Sequence, residues 1–148
     1  MTYFQKMKKL QWGEALIGIL LALMPFVLSP VCTKLMPNGM PMPCHYSAWL
    51  VTVLGIILTV LALLRPLIRR RALTLGTILI AIVALILILF VPTGTIPLKL
   101  PGLPQFGLCH HQGMPCLKSF YYIKWLAGLG LLSSFIDLAL LFIAKPER

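Results

Sequence analysis

The chain reads as an all-α membrane protein, a four-helix transmembrane bundle, and three observations predict it. Hydrophobic residues make up 59% of the sequence and charged residues 11%. A water-soluble domain carries about a quarter charged residues. The mean hydropathy is +0.96. The charge is also blocked rather than dispersed. Ala15–Val31, Tyr46–Leu64 and Ala72–Leu98 contain no Asp, Glu, Lys or Arg, and Trp125–Ala144 contains one, Asp137. About 20 apolar residues cross a bilayer core as a helix, so each block is long enough for one span.

The elements follow in order. Helix 1 is expected at about 12–30. It follows Lys6, Lys8 and Lys9, and no small-x-small site succeeds it, so it is read as a retained span and not as a cleaved leader. Ser29-Pro30-Val31-Cys32 is likewise a poor lipoprotein site. A Pro/Gly-rich loop occupies about 31–45, helix 2 about 46–65, and a short basic turn leads to helix 3 at about 72–92. A second loop fills about 93–120, and helix 4 runs at about 121–144. The whole of 1–148 forms a single transmembrane domain. Gly18/Ala22 and Gly130/Ser134 are small-xxx-small pairs of the kind found where membrane helices touch.

Lysine and arginine placement sets the orientation. Lys6, Lys8, Lys9, Arg65, Arg69, Arg70, Arg71, Lys145 and Arg148 share one side, nine in all, against four on the other, Lys34, Lys99, Lys118 and Lys124. Both termini are therefore expected in the cytoplasm and both long loops outside, in the plasma membrane. Tyr46, Trp49, Tyr121, Tyr122 and Trp125 fall at the outer interface and Trp12 at the inner one, as aromatic anchors do. The formal charge of +10 marks no nucleic-acid surface. Its densest cluster, Arg65, Arg69, Arg70 and Arg71, sits in a tight inner turn suited to anionic lipid headgroups or to docking a cytoplasmic partner.

The two external loops repeat each other. Asn38-Gly39-Met40-Pro41-Met42-Pro43-Cys44-His45 follows Cys32, and Gln112-Gly113-Met114-Pro115-Cys116 follows Cys109. Each hairpin starts inside, so the plan is a parallel repeat of two helical hairpins. Four external cysteines admit three pairings. The repeat favours Cys32–Cys44 with Cys109–Cys116, each bridge clamping its own loop for about 2–3 kcal/mol on the chain-entropy view. A competing reading is Cu(I) held by soft ligands drawn from Met36, Met40, Met42, Cys44, His45, Cys109, His110, His111, Met114 and Cys116. The two compete because a disulfide sulfur is a poor metal ligand. A third reading is thiol–disulfide exchange. Four spans with a cysteine pair in each outer loop resemble the DsbB-like thiol oxidases, yet the Cys-x-x-Cys pair of those enzymes is missing from this sequence.

Two acids stand out. Asp137 lies inside helix 4, where an unpaired charge costs roughly 2.5–3.5 kcal/mol on insertion scales. It is expected to bond Ser133, Ser134 or Thr59, or to pair with Arg65. A proton or ion relay is the sharper reading. Glu14 is read as an ordinary acid at the start of helix 1. No nucleotide loop, paired-acid site, Ser-His-Asp set or haem-attachment motif is present in the sequence.

Met42-Pro43-Cys44-His45-Tyr46 after helix 1, with Cys109 and Met114-Pro115-Cys116 before helix 4, resembles the domain-of-unknown-function 4418 family of small prokaryotic four-helix membrane proteins. The resemblance covers essentially the whole chain. It implies an association with ABC transporters of the MacB/FtsX permease type and no established activity. The expectation is therefore a non-enzymatic accessory subunit without cofactor, embedded in lipid beside another membrane protein or a second copy. Copper handling is the first alternative and a membrane thiol oxidoreductase the second.

Overall fold

The described residues form four helices long and apolar enough to cross a membrane. The computed structural model describes residues 3–28, 30–31, 39, 42–68, 71–92, 107 and 115–143. α1 spans Tyr3–Leu23 and passes into a wider π-helical turn at Met24–Leu28. Pro25 accounts for the change: it has no N–H to donate to the preceding turn, and its ring displaces the carbonyl there. α2 spans Pro43–Leu64, with proline at the first helical position, where a missing N–H costs nothing. Pro66 then ends it, and the chain tightens into a 3-10 turn at Arg65–Leu67. α3 spans Arg71–Phe90 and α4 Pro115–Ile143.

The ends differ from the sequence expectation in an instructive way. α1 begins at Tyr3 rather than near residue 12, and α4 begins at Pro115 rather than near 121. Lys6, Lys8, Lys9 and Lys118 interrupt hydropathy without interrupting helix, because lysine is a good helix former.

Small residues bring α1 and α2 together. A Cβ added at Gly55 would lie 2.7 Å from the Ala22 backbone nitrogen, and one at Gly18 would lie 2.9 Å from that of Thr59. Thr52 Oγ1 donates to the Ala22 carbonyl at 3.2 Å, and Thr59 Oγ1 to that of Gly55 at 2.9 Å. The predicted Gly18/Ala22 pair is thus the contact face of α1 against α2. Gly130 faces Leu85 of α3 and Ile17 of α1. The core runs through Leu21, Val51, Leu58, Leu85, Ile88 and Ile123. Outside it, Val53, Val60, Leu79, Val83, Leu132 and Phe135 are exposed. Apolar surface this continuous suits acyl chains or another protein, not water.

Burial in the two hairpins follows one pattern. The buried positions of α2 and its terminal turn, from Cys44, Ser47 and Ala48 to Ala62 and Arg65, recur in α4 displaced by 72 residues, from Cys116, Ser119 and Phe120 to Ser134 and Asp137. Glu14, Ala15, Gly18, Leu21 and Pro25 match Ala81, Ile82, Leu85, Ile88 and Pro92 at a displacement of 67.

Candidate functional site

Charge in an apolar bundle is costly, so charged groups that the fold buries mark where its chemistry lies. Three such residues meet near one end of the bundle. Arg65 is only 3% exposed; Glu14 and Asp137 are each 8% exposed. Arg65 belongs to the predicted basic turn, but Pro66 tightens the backbone there and the guanidinium points inward. Its Nη1 donates to Glu14 Oε2 and, at 2.8 Å, to Asp137 Oδ2. Ser134 Oγ donates to Glu14 Oε1 at 2.9 Å. One nitrogen therefore ties α1, the end of α2 and α4 together.

Of the partners expected for Asp137, Arg65 is the one observed. Thr59 bonds within its own helix, and Ser134 bonds Glu14. Glu14 requires a correction. It is not a helix-start acid, because α1 begins eleven residues earlier, at Tyr3, which places Glu14 about three turns inside the helix and on its buried face. A cavity of about 10 Å³ adjoins the centre, with Glu14, Arg65 and Ser134 on its polar wall and Ile17 and Leu85 on its apolar wall. Arg65 Nε is buried and has no hydrogen-bond partner among the described residues.

At the other end of the same helices lie the sulfurs. Cys44 and Cys116 are fully buried and belong to one hydrophobic cluster. Each lies 21 residues before its counterpart in the charged centre, about 32 Å at 1.5 Å per residue. That is close to the thickness of a bilayer's hydrocarbon core, about 30 Å. The sequence carries a longer identity here than the cysteine spacing alone suggests. Met42-Pro43-Cys44-x-x-Ser47 matches Met114-Pro115-Cys116-x-x-Ser119, and both serines are fully buried. The serines escape notice because serine is common and carries no soft-ligand signal. The shared motif is the signal that could have found them.

Ser47 pins the second long loop to α2. Its Oγ donates to the Gly107 carbonyl at 3.2 Å and accepts from the Gly107 N–H at 3.1 Å. A Cβ on Gly107 would lie 3.8 Å from Pro43. Ser119 Oγ is buried and has no hydrogen-bond partner among the described residues. Replacing Ser47 with alanine is expected to lower stability by about 1 kcal/mol, the usual net worth of such a bond. It should also speed exchange of the Gly107 amide, as measured by hydrogen–deuterium exchange in nanodiscs. Unchanged exchange would show that Ser47 does not hold the loop.

The remaining predicted residues divide as follows. His45 stands edge-on to Phe26 and Tyr46, at ring distances of 6.0 and 6.2 Å, and Phe26 in turn stands edge-on to Trp49. Met42 packs against the core. Cys32, Met36, Met40, Cys109, His110, His111, Met114, Arg69 and Arg70 lie outside the described residues, as does one partner of each expected disulfide; of Arg71 only the backbone, opening α3, is described. Among the described residues no three of His, Cys, Asp and Glu converge on one point.

No curated protein and no solved structure matches the chain. A family match extends over residues 14–142, from the buried glutamate of α1 to the last turn of α4, and thus takes in both ends of the bundle. The chain belongs to the family described as domain of unknown function DUF4418.

Proposed function

We propose that the protein is a non-enzymatic membrane subunit that works by contact with another integral membrane protein. The observation that carries this reading is where the polar groups are used. Arg65, Glu14, Asp137 and Ser134 brace three helices at one end, Thr52 braces α1 to α2, and Ser47 braces a loop at the other. Polar chemistry spent on holding helices in place, under an outward surface of exposed apolar side chains, suits a scaffold. The family resemblance supplies the partner class, an ABC-type permease of the MacB/FtsX kind.

On this proposal both termini lie in the cytoplasm of a plasma-membrane protein, with the cysteine loops outside and clamped by Cys32–Cys44 and Cys109–Cys116. Arg65 is neutralised internally, and the charge asymmetry without it is still eight against four. Duplication of one hairpin is supported by the shared Met-Pro-Cys-x-x-Ser motif and the recurring burial pattern.

The test is a photo-crosslinking residue at Leu132 or Phe135, which are 60% and 54% exposed. The expected adduct in cells is a permease subunit, identified by mass spectrometry. Adducts only with lipid, or only with a second copy of the chain, would defeat the permease reading. Elemental analysis of natively purified protein is expected to return no stoichiometric copper; one copper per chain would transfer the loops to the metal reading.

A further inference from the structure

We propose that the buried centre binds a single proton, held by Glu14 or Asp137, together with one water molecule on Arg65 Nε. Two independent observations lead there. The first is charge. Arginine stays protonated in proteins, so among the described side chains Arg65 with two ionised carboxylates leaves one negative charge uncompensated. Among the described side chains, the groups facing the centre from each packed element are Glu14 from α1, Arg65 from the end of α2, and Asp137 with Ser134 from α4. From α3 come Ala81 and Leu85, which carry no charge. Lys9, the nearest described lysine on α1, is exposed and more than a turn away. Two carboxylates that share one site and one counter-charge take up a proton between them.

The second observation is the unsatisfied donor. Arg65 Nε is buried without a partner among the described residues, and Arg65 lines a cavity of about 10 Å³. That is about the smallest space that admits one water, given polar neighbours. Glu14, Arg65 and Ser134 supply such neighbours. A water oxygen in this space is the acceptor that the proposal assigns to Nε. A metal cation fits poorly: hard cations want about six oxygens, and here one would sit against a guanidinium. The proton comes from water and returns to it, and no electron moves. This inference is independent of the permease reading, since it concerns what the centre holds and not what the outer faces touch.

The chain has only three acidic side chains, Glu14, Asp137 and Glu147, which makes infrared spectroscopy decisive. Wild-type protein in lipid nanodiscs at neutral pH is expected to show one protonated-carboxyl carbonyl band per chain, shifted in D2O. E14Q and D137N should each abolish it, because neutralising either carboxyl leaves the other to balance Arg65. E147Q should leave it unchanged. The absence of the band in wild type overturns the proposal. So does a band that survives in E14Q or in D137N, which would mean protonation by burial of one group alone. Loss of the wild-type band on adding sodium or potassium salt would overturn it too, by making a metal ion the compensating cation. The wild-type arms decide even if a variant does not fold.

Discussion

Replacing Arg65 with leucine is expected to destabilise the bundle by about 3–5 kcal/mol, the range found when one member of a buried ionic group is removed. The loss comes less from the attraction forfeited than from what remains. Glu14 and Asp137 would face each other in an apolar interior with no cation between them. The side chains of these residues lie in different elements, 51 and 72 positions from Arg65, so the effect should be felt as loosening of α1 and α4 together. Thermal unfolding in nanodiscs, read by the burial of Cys44 and by helix content, measures it. A companion variant separates the unpaired buried charge from packing. R65L/E14Q/D137N removes all three ionisable groups and should recover most of the loss, since an uncharged set of similar volume is often neutral or better than a buried ion group. If R65L melts like the wild type, the triad does not hold the bundle.

The bundle itself is legible in the sequence for a simple reason. A bilayer demands about 20 consecutive apolar residues per span, and gaps of that length between charges rarely arise otherwise. The Gly18/Ala22 contact is legible because close backbone approach demands small side chains. The charged centre is harder. A glutamate after a lysine cluster looks interfacial until the helix is known to start at Tyr3. Arg65 looks like part of one basic turn with Arg69, Arg70 and Arg71 until Pro66 is seen to separate it. Asp137 alone declares itself, because nothing near it in sequence explains it. Its partner lies 72 residues away, which no local pattern gives. The displacement that aligns the two Met-Pro-Cys-x-x-Ser motifs also aligns Arg65 with Asp137. Two equivalent positions of the hairpins thus carry opposite charges and bond one another. Like charges there would repel, so the two hairpins are complementary at this point and not interchangeable.

Replacing Gly55 with valine should be the other severe lesion, by a different mechanism. Even the Cβ of alanine would meet the Ala22 backbone nitrogen at 2.7 Å and the Gly18 carbonyl oxygen at 2.9 Å. These are main-chain atoms of a helix, which cannot rotate aside as a side-chain tip can. α1 and α2 must therefore part along their length, and the Thr52 bond to the Ala22 carbonyl, already 3.2 Å, is lost with them. Overpacking of a close-packed interior costs typically about 1–3 kcal/mol, and the two extra methyl groups of valine put this site at the upper end. Separation should also reach the charged centre, because Glu14 rides on α1 and Arg65 on the end of α2. Gly128 is the internal control: a Cβ there meets nothing within 4 Å. In the same melting assay, G128V is expected to behave nearly as wild type, while G55V unfolds early. Comparable melting of G55V and G128V would mean that α1 and α2 do not approach through Gly55, and the bracing that the scaffold reading requires would lose its closest contact.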